Sequence, residues 1–362
     1  MKNGRGGHGK NGSTRGVAPG AAPGRARAAG SIAGAELLNS RDNRWLKEFR
    51  VALRGGVATT SGAVGVEGVR LVEEALTSGC EVAAVLFSES GERWRGRLAP
   101  LVGRQEMGFP VLRTTDRLFE GIADTEHPQG VAALVVPREV TLEELVGWKG
   151  QEEKSKKIAD TREVRVENSP APAPLVGQGN LQLPPPKEKK AQDVTAKKCP
   201  PLLVVLAGVQ DPGNVGTILR TAAAFGATGA VTAATGQSGT ASPFAPKSLR
   251  ASAGAALHLP VVTGMALGVL LTQLKVMGIR TVASCVHQEG IGMMAPWEVA
   301  WCEPIALLVG NEGAGLPEEV VHATDGRIHI PMATNVESLN AAAAAAVVLY
   351  EAYRQRTKVA VG

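Results

Sequence analysis

Apolar and polar positions fall into two patterned stretches separated by one without a period. In the first, residues 43–54 place Trp45, Leu46, Phe49 and Leu53 on one face of a basic amphipathic helix. Short apolar runs at 64–68, 81–87, 110–113 and 130–136 predict strands. The spacing predicts helices over 69–78, stopped by Gly79, and near 116–121. Together these make a small α/β domain over residues 41–137. The pattern resumes after Pro201. Leu202–Ala207 and Ile305–Val309 are unbroken apolar runs, as expected of strands covered on both faces. Further strands are predicted near Ala230 and at 257–262, 280–285 and 327–330. They alternate with helices at 215–225, 247–253 and 265–277, one from Pro317 and a last one from Ala341. This alternation predicts a second α/β domain over 201–357, built on a doubly wound parallel sheet, where ligands lie beyond the carboxyl ends of strands.

Two segments lack such a period. Residues 1–40 are mainly Gly, Ala, Arg and Pro and are expected to form a disordered basic arm. Residues 138–200 hold the charge run Gln151-Glu-Glu-Lys-Ser-Lys-Lys157 and the proline-rich stretches 170–174 and 184–186. Nothing there can bury a core, which predicts an extended, flexible linker or insertion. Charge changes the picture more than composition does. The net charge is +5, but residues 1–54 carry eleven Lys/Arg against three Asp/Glu, a local +8 that leaves the remainder at −3. A basic arm on a near-neutral body points to a polyanionic partner, RNA or DNA. Aromatic residues, at 4%, are too few for a stacking platform. Cys80, Cys199, Cys285 and Cys302 are widely spaced without a C-x-x-C, which argues against a zinc site or a disulfide framework and fits a reducing cytoplasm. No apolar run approaches the ~20 residues that cross a bilayer, and Arg25 and Arg27 interrupt any signal-peptide core. The expectation is a cytoplasmic protein with neither metal nor membrane partner.

Candidate chemistry gathers in three loops that each follow a predicted strand. Asp211-Pro-Gly-Asn-Val-Gly-Thr-Ile-Leu-Arg220 enters a helix, with Asn214 at its start and Arg220 nearly two turns further in. Gly310-Asn-Glu-Gly-Ala-Gly315 supplies glycines for close backbone approach and Glu312 to bridge backbone N–H groups. It lacks the Lys-Ser/Thr of a phosphate-cradling loop and the spacing of a dinucleotide site. The third runs from Ile330 through Ser338-Leu-Asn340 into six alanines, with Ser338 and Asn340 placed to cap the last helix. His258, His287, His322 and His329 stand apart from these loops, and Glu318 and Glu319 are expected on a solvated helix. A pocket with one Glu, one Arg and Ser/Asn groups, but no paired carboxylates, catalytic triad or metal cluster, suits a reaction whose reagent is already activated.

In order, these stretches resemble the three motifs of the SpoU-type (TrmH-type) RNA 2′-O-ribose methyltransferases: Asn214 through Arg220-Thr-Ala, Leu308-Val-Gly-Asn-Glu-Gly-Ala-Gly315-Leu, and Ile330-Pro-Met with Ser338-Leu-Asn340. Residues 43–54, Val66-Glu-Gly-Val-Arg-Leu-Val-Glu-Glu-Ala75 and Thr125-Glu-His-Pro-Gln-Gly-Val131 are similar to that family's L30e-like substrate-binding domain. The resemblance implies a trefoil-knotted SPOUT fold, a homodimer and S-adenosyl-L-methionine as cofactor. It implies a catalytic neighbourhood of Asn214, Arg220, Glu312, Ser338 and Asn340, and cofactor contacts from Leu308, Val309, Gly310, Gly315, Ile330, Met332 and Leu339. Its substrate is structured RNA, with rRNA of the large subunit expected ahead of tRNA. A silent RNA-binding or assembly factor of the same fold is the competing reading. One departure stands out: many relatives read Ser-Leu-Asn-Val-Ser, where this chain has Ser338-Leu-Asn-Ala-Ala342.

Overall fold

The structure is a computed structural model and describes residues 35–103, 108–147, 200–235, 239–286, 292–333 and 338–361. The basic arm up to residue 34 and the linker from 148 to 199 lie outside the described residues. The first domain is a five-stranded mixed sheet: β1 (Glu36–Leu38), β2 (Val64–Glu67), β3 (Glu81–Phe87), β4 (Val111–Thr114) and β5 (Val131–Val136). Their spatial order is β1-β4-β3-β5-β2. Helix Arg44–Leu53 covers one face, burying Leu46, Phe49, Ala52 and Leu53, with the Asn43 side chain capping the Trp45 N–H. Each such fully buried apolar side chain contributes about 1.5–3 kcal/mol. Helix Val69–Thr77 covers the other face and ends before Gly79, at φ +79°.

The second domain is a six-stranded, wholly parallel sheet: β6 (Leu202–Ala207), β7 (Gly229–Ala234), β8 (Val261–Ala266), β9 (Arg280–Ser284), β10 (Ile305–Val309) and β11 (Gly326–Ile328). The order β11-β9-β10-β6-β7-β8 sets the two apolar runs side by side at the centre. Because every strand points the same way, the loops after β6, β10 and β11 emerge along one edge. The last helix, Ala341–Val361, packs on helix Pro212–Ala224, with Ala342, Ala345, Val348, Leu349 and Ala352 buried. Near its end Arg356 is buried and donates to the carbonyls of Trp301, Pro200 and Glu303 at 2.6–2.9 Å.

Several expectations need correction. Residues 36–38, assigned to the disordered arm, form β1 beside β4. The linker assigned to 138–200 begins with an ordered helix, Leu142–Gly147, whose Leu142 and Leu145 are buried against the β6 and β7 side chains. The run 257–262 alternates like a strand, yet Ala255–His258 is a helical turn and β8 starts only at Val261, after Pro260. Pro260 has no N–H for the ladder, and its carbonyl instead accepts from Ala230 N at 2.9 Å. A 3₁₀ turn at Ser90–Trp94 and helix Arg95–Val102 are additional elements. The two domains share one apolar core, in which Val64, Leu71 and Cys80 pack with Leu249, Leu257 and Leu259.

Candidate active site

Helix Pro212–Ala224 starts where Asp211 caps it: Asp211 Oδ2 accepts from Asn214 N at 3.2 Å, and Pro212 fills the first position, which needs no donor. Asp211 Oδ1 also accepts from Lys247 Nζ at 2.6 Å, and that hydrogen bond is the main cause holding its pKa below the usual carboxylate range. Asn214 therefore sits in the first helical turn with its side chain facing the loop after β10.

That loop is stapled in place by Asn311. Its Nδ2 donates to the Gly208 carbonyl at 2.9 Å, and its Oδ1 accepts from Gly313 N and Ala314 N at 2.9 Å. Gly310 is required by the loop itself. A Cβ there would sit 2.6 Å from the Gly315 carbonyl oxygen. Gly315 adopts φ +70°. Glu312 then points across to β6: its Oε2 accepts from Gln210 N and its Oε1 from Asp211 N, both at 3.1 Å, and Oε1 also accepts from Asn214 Nδ2 at 3.0 Å. Burial alone pushes the Glu312 pKa up. The Asn214 amide and the backbone N–H groups of Gln210, Glu312 and Asp211 outweigh it, leaving the net shift downward.

The third loop closes the set. Asn340 Nδ2 donates to Asn214 Oδ1 at 3.0 Å, while Asn340 Oδ1 caps the last helix by accepting from Ala342 N and Ala343 N at 2.9 and 3.3 Å. The result is a one-way chain of hydrogen bonds. It runs from the helix N–H groups through Asn340 and Asn214 to a carboxylate. Each amide has its oxygen occupied and one N–H spent, and among the described residues the second N–H of each has no partner. Glu312, holding three donors with its pKa lowered, anchors the loop after β6 and the Asn214 amide.

Beside this chain lies a small cleft of about 70 Å³ at the ends of β9 and β11. Ile330, Met332, Ser338 and Leu339 line it, joined by Ser284, Cys285, His329 and Ala344. Met332 and Leu339 are 37% and 40% exposed, unusual for apolar side chains this close to a sheet edge. Burial pushes the Cys285 thiol up, with Arg327 pulling partly the other way, so the cleft wall is neutral there. The structure thus gathers Asn214, Glu312 and Asn340 directly, and Ser338, Ile330, Met332 and Leu339 in the adjoining cleft. Leu308 and Val309 are buried strand residues, so only their backbone can face a ligand; neither they nor Gly310 and Gly315 line the cleft. Arg220 is not in the cluster. It is exposed, six residues beyond Asn214, roughly 9 Å along the helix axis, and shows no ion pair among the described residues.

Sequence reasoning missed Asn311, which shares the glycine loop with Glu312, and the Asp211–Lys247 pair. It also set His329 apart from the loops, whereas His329 lines the cleft because it directly follows β11. His287 lies outside the described residues. His258 and His322 do stand apart, bonded to Glu74 and to the Glu318 carbonyl.

A parallel α/β domain whose strand-end loops build a polar chain beside an apolar cleft, with a smaller mixed-sheet domain ahead of it, defines a class that comparison with known proteins makes specific. Residues 201–350 match the SpoU rRNA Methylase family, and residues 59–133 match the MRM3-like substrate binding domain. The methylase match thus lies in the second domain and the substrate-binding match in the first. It is 28% identical over 314 residues to the Bacillus subtilis protein named 23S rRNA (guanosine(2553)-2′-O)-methyltransferase RlmP, covering 86% of this chain and 97% of that one. It is 40% identical over 153 residues to an uncharacterised tRNA/rRNA methyltransferase of Synechocystis, covering 42% of this chain. There the chain spans about half of the relative's length, 53%. The fold is that of the SpoU methyltransferase AviRb from Streptomyces viridochromogenes, crystallised with AdoMet, at a TM-score of 0.61 and 24% identity over 87% of this chain and 98% of that one.

Proposed function

We propose that this protein methylates the ribose 2′-oxygen of RNA, with S-adenosyl-L-methionine as donor and large-subunit rRNA, rather than tRNA, as substrate. The observation that carries the reading is the hydrogen-bonded convergence of Asn214, Glu312 and Asn340 next to the cleft. The full-length likeness to a protein named as a 23S rRNA 2′-O-methyltransferase supports the choice of substrate.

The lining of the cleft, rather than its volume, suits a nucleoside-bearing cofactor: Ile330, Met332 and Leu339 offer apolar surface for a base, and the Ser338 hydroxyl lies among them. These four would hold the cofactor. S-adenosyl-L-methionine supplies a sulfonium methyl that is already electrophilic. The protein's task is then positioning, which is worth on the order of 7–11 kcal/mol when geometry is held tightly. Glu312 fixes the orientation of Asn214, and Asn214 fixes Asn340. Their remaining N–H groups are placed to hold the ribose and the adjacent phosphate. Arg220 carries donors only; it grips the phosphate and polarises the 2′-hydroxyl, whose proton leaves to water late in the transfer.

The trefoil knot, the homodimer and the cytoplasmic location belong to the same proposal. Phe225 meets Tyr350 edge-on and Tyr353 at a tilt, with ring centroids 5.6 and 5.8 Å away, and with Val347 they leave an apolar strip on the outer side of the last helix that suits a second copy of the chain. Among the described residues, no cluster could hold a metal ion, and no helix is long and apolar enough to cross a membrane. The test is to incubate the protein with labelled S-adenosyl-L-methionine and purified large-subunit rRNA or tRNA, then map ribose methylation. Label on rRNA is expected. Label on tRNA alone overturns the substrate choice, and cofactor binding without any transfer indicates a silent assembly factor.

A further inference from the structure

Helix Pro246–Ala251 lies outside the three loops, yet its two ends touch different domains. At its start, Lys247 Nζ pairs with Asp211 Oδ1 at 2.6 Å, and Asp211 N donates to Glu312. At its end, Arg250 Nη1 pairs with Asp124 Oδ2 of the small domain at 2.7 Å, and Asp124 N donates to Glu67 at 2.8 Å. The helix between them is fixed. Ser248 and Leu249 are fully buried, and Ser248 Oγ donates to the Ser242 carbonyl at 2.7 Å. Gly216 of helix Pro212–Ala224 lies so close that a Cβ there would overlap the Ser248 carbonyl oxygen. Just beyond, Cys80 Sγ donates to the Leu257 carbonyl at 3.4 Å, and His258 Nε2 meets Glu74 Oε2 at 2.8 Å.

We infer that helix Pro246–Ala251 is a strut that sets the register of the substrate-binding domain against the catalytic loops, with Arg250 and Asp124 as positioning residues for methyl transfer to structured RNA. The inference rests on the methyltransferase reading. The two side chains are 36% and 31% exposed, so their pairing adds little to overall stability. Its value is angular. An RNA held by the small domain is a lever arm, and a slight rotation about the contact between Arg250 and Asp124 moves the target ribose out of line with the loops. Lys247 passes the same constraint on, because it holds the residue that caps the Asn214 helix and donates to Glu312. One rigid turn of helix thus links the grip on the substrate to the hydrogen-bonded chain at the reacting sugar.

The test measures steady-state transfer to large-subunit rRNA for the wild type, Arg250→Asp, Asp124→Arg and the double exchange, together with RNA affinity across a salt series and thermal midpoints. Each single variant should lower kcat by about tenfold or more, because misplacement by ~1 Å costs on the order of 10²-fold. RNA affinity and thermal midpoint should stay near the wild type. The double exchange should return kcat to within about threefold, since the pair is restored with its signs reversed. Single variants that keep wild-type kcat overturn the inference, as does a double exchange that restores nothing. So does a salt slope shallower by about one in the Arg250 variant, which would make Arg250 a phosphate contact instead. A wild type that transfers no methyl group defeats the methyltransferase reading and this inference with it, a result separate from the other three.

Discussion

Glu67 in the small domain and Glu312 in the large one use the same device for different ends. Each is a carboxylate that reaches across a sheet edge to collect backbone N–H groups from a neighbouring loop. Glu67 is 6% exposed and accepts from Asp124 N, Thr125 N and the Thr125 hydroxyl. Its surroundings are equally self-contained: Gln129 Oε1 accepts from Val69 N at 3.0 Å, and the Gln129 carbonyl accepts from Trp94 Nε1 at 3.1 Å. Thr125 and Gln129 of the motif 125–131 therefore spend polar groups on holding the loop, while Glu126 and His127 are exposed. Glu312 is exposed and collects two backbone donors, but its third donor is a side chain that passes the orientation on to Asn340. The small domain's Glu67 bonds only to its neighbouring loop, whereas the large domain's Glu312 orients an amide that in turn holds the loop before the last helix. Unspent hydrogen-bonding capacity beside a cleft, more than the presence of a motif, distinguishes a reacting site from a structural knot of polar groups.

This contrast can be broken by substitution, beginning with the largest expected effect. Arg220→Ala should abolish methyl transfer while calorimetry still detects S-adenosyl-L-methionine binding. Full activity in that variant would confine the working site to the asparagine–glutamate chain. Next come the paired variants Glu312→Ala and Glu67→Ala. Glu312→Ala should lower transfer on the order of 10²-fold, as for the loss of a preorganised donor set, and cost about 1 kcal/mol or less in stability, because water reaches the freed N–H groups. Glu67→Ala should do the reverse, costing about 2–4 kcal/mol in urea denaturation for the three donors it frees, two backbone N–H groups and the Thr125 hydroxyl, with kcat little changed once folded. Equal destabilisation by the two would erase the distinction. The smallest effect is on pH. The Glu312 pKa is lowered on folding, so its contribution is present above the unfolded value, about 4.3, and is lost as pH falls through the lower folded value. The wild-type thermal midpoint should therefore fall more steeply than that of Glu312→Gln as the pH drops below about 5. Parallel curves would show that the carboxylate is not coupled to folding.

Much of this was legible in the sequence. The unbroken runs Leu202–Ala207 and Ile305–Val309 could only be central parallel strands, and their adjacency places the following loops together. The capping role of Asn340 and the bridging role of Glu312 follow from residue type and position alone. What failed was tertiary. The run at 257–262 carries a strand period that Pro260 interrupts, and residues 36–38 become a strand only because β4 offers an edge. Arg220 shares a motif with Asn214, and the spacing already set it nearly two turns along the helix axis, where the structure has it. No local pattern joins Arg250 to Asp124, which are brought together only when the two domains pack on one core.

The account stands on the chain from Asn340 through Asn214 to Glu312 being the device that aligns a ribose for methyl transfer. The most direct test is mass-spectrometric detection of 2′-O-methylated nucleoside in large-subunit rRNA incubated with S-adenosyl-L-methionine and either the wild type or Asn340→Ala. The account predicts a methylated ribose with the wild type and a loss on the order of 10²–10³-fold in the variant, with its cofactor affinity retained. Equal methylation by the two proteins would contradict it.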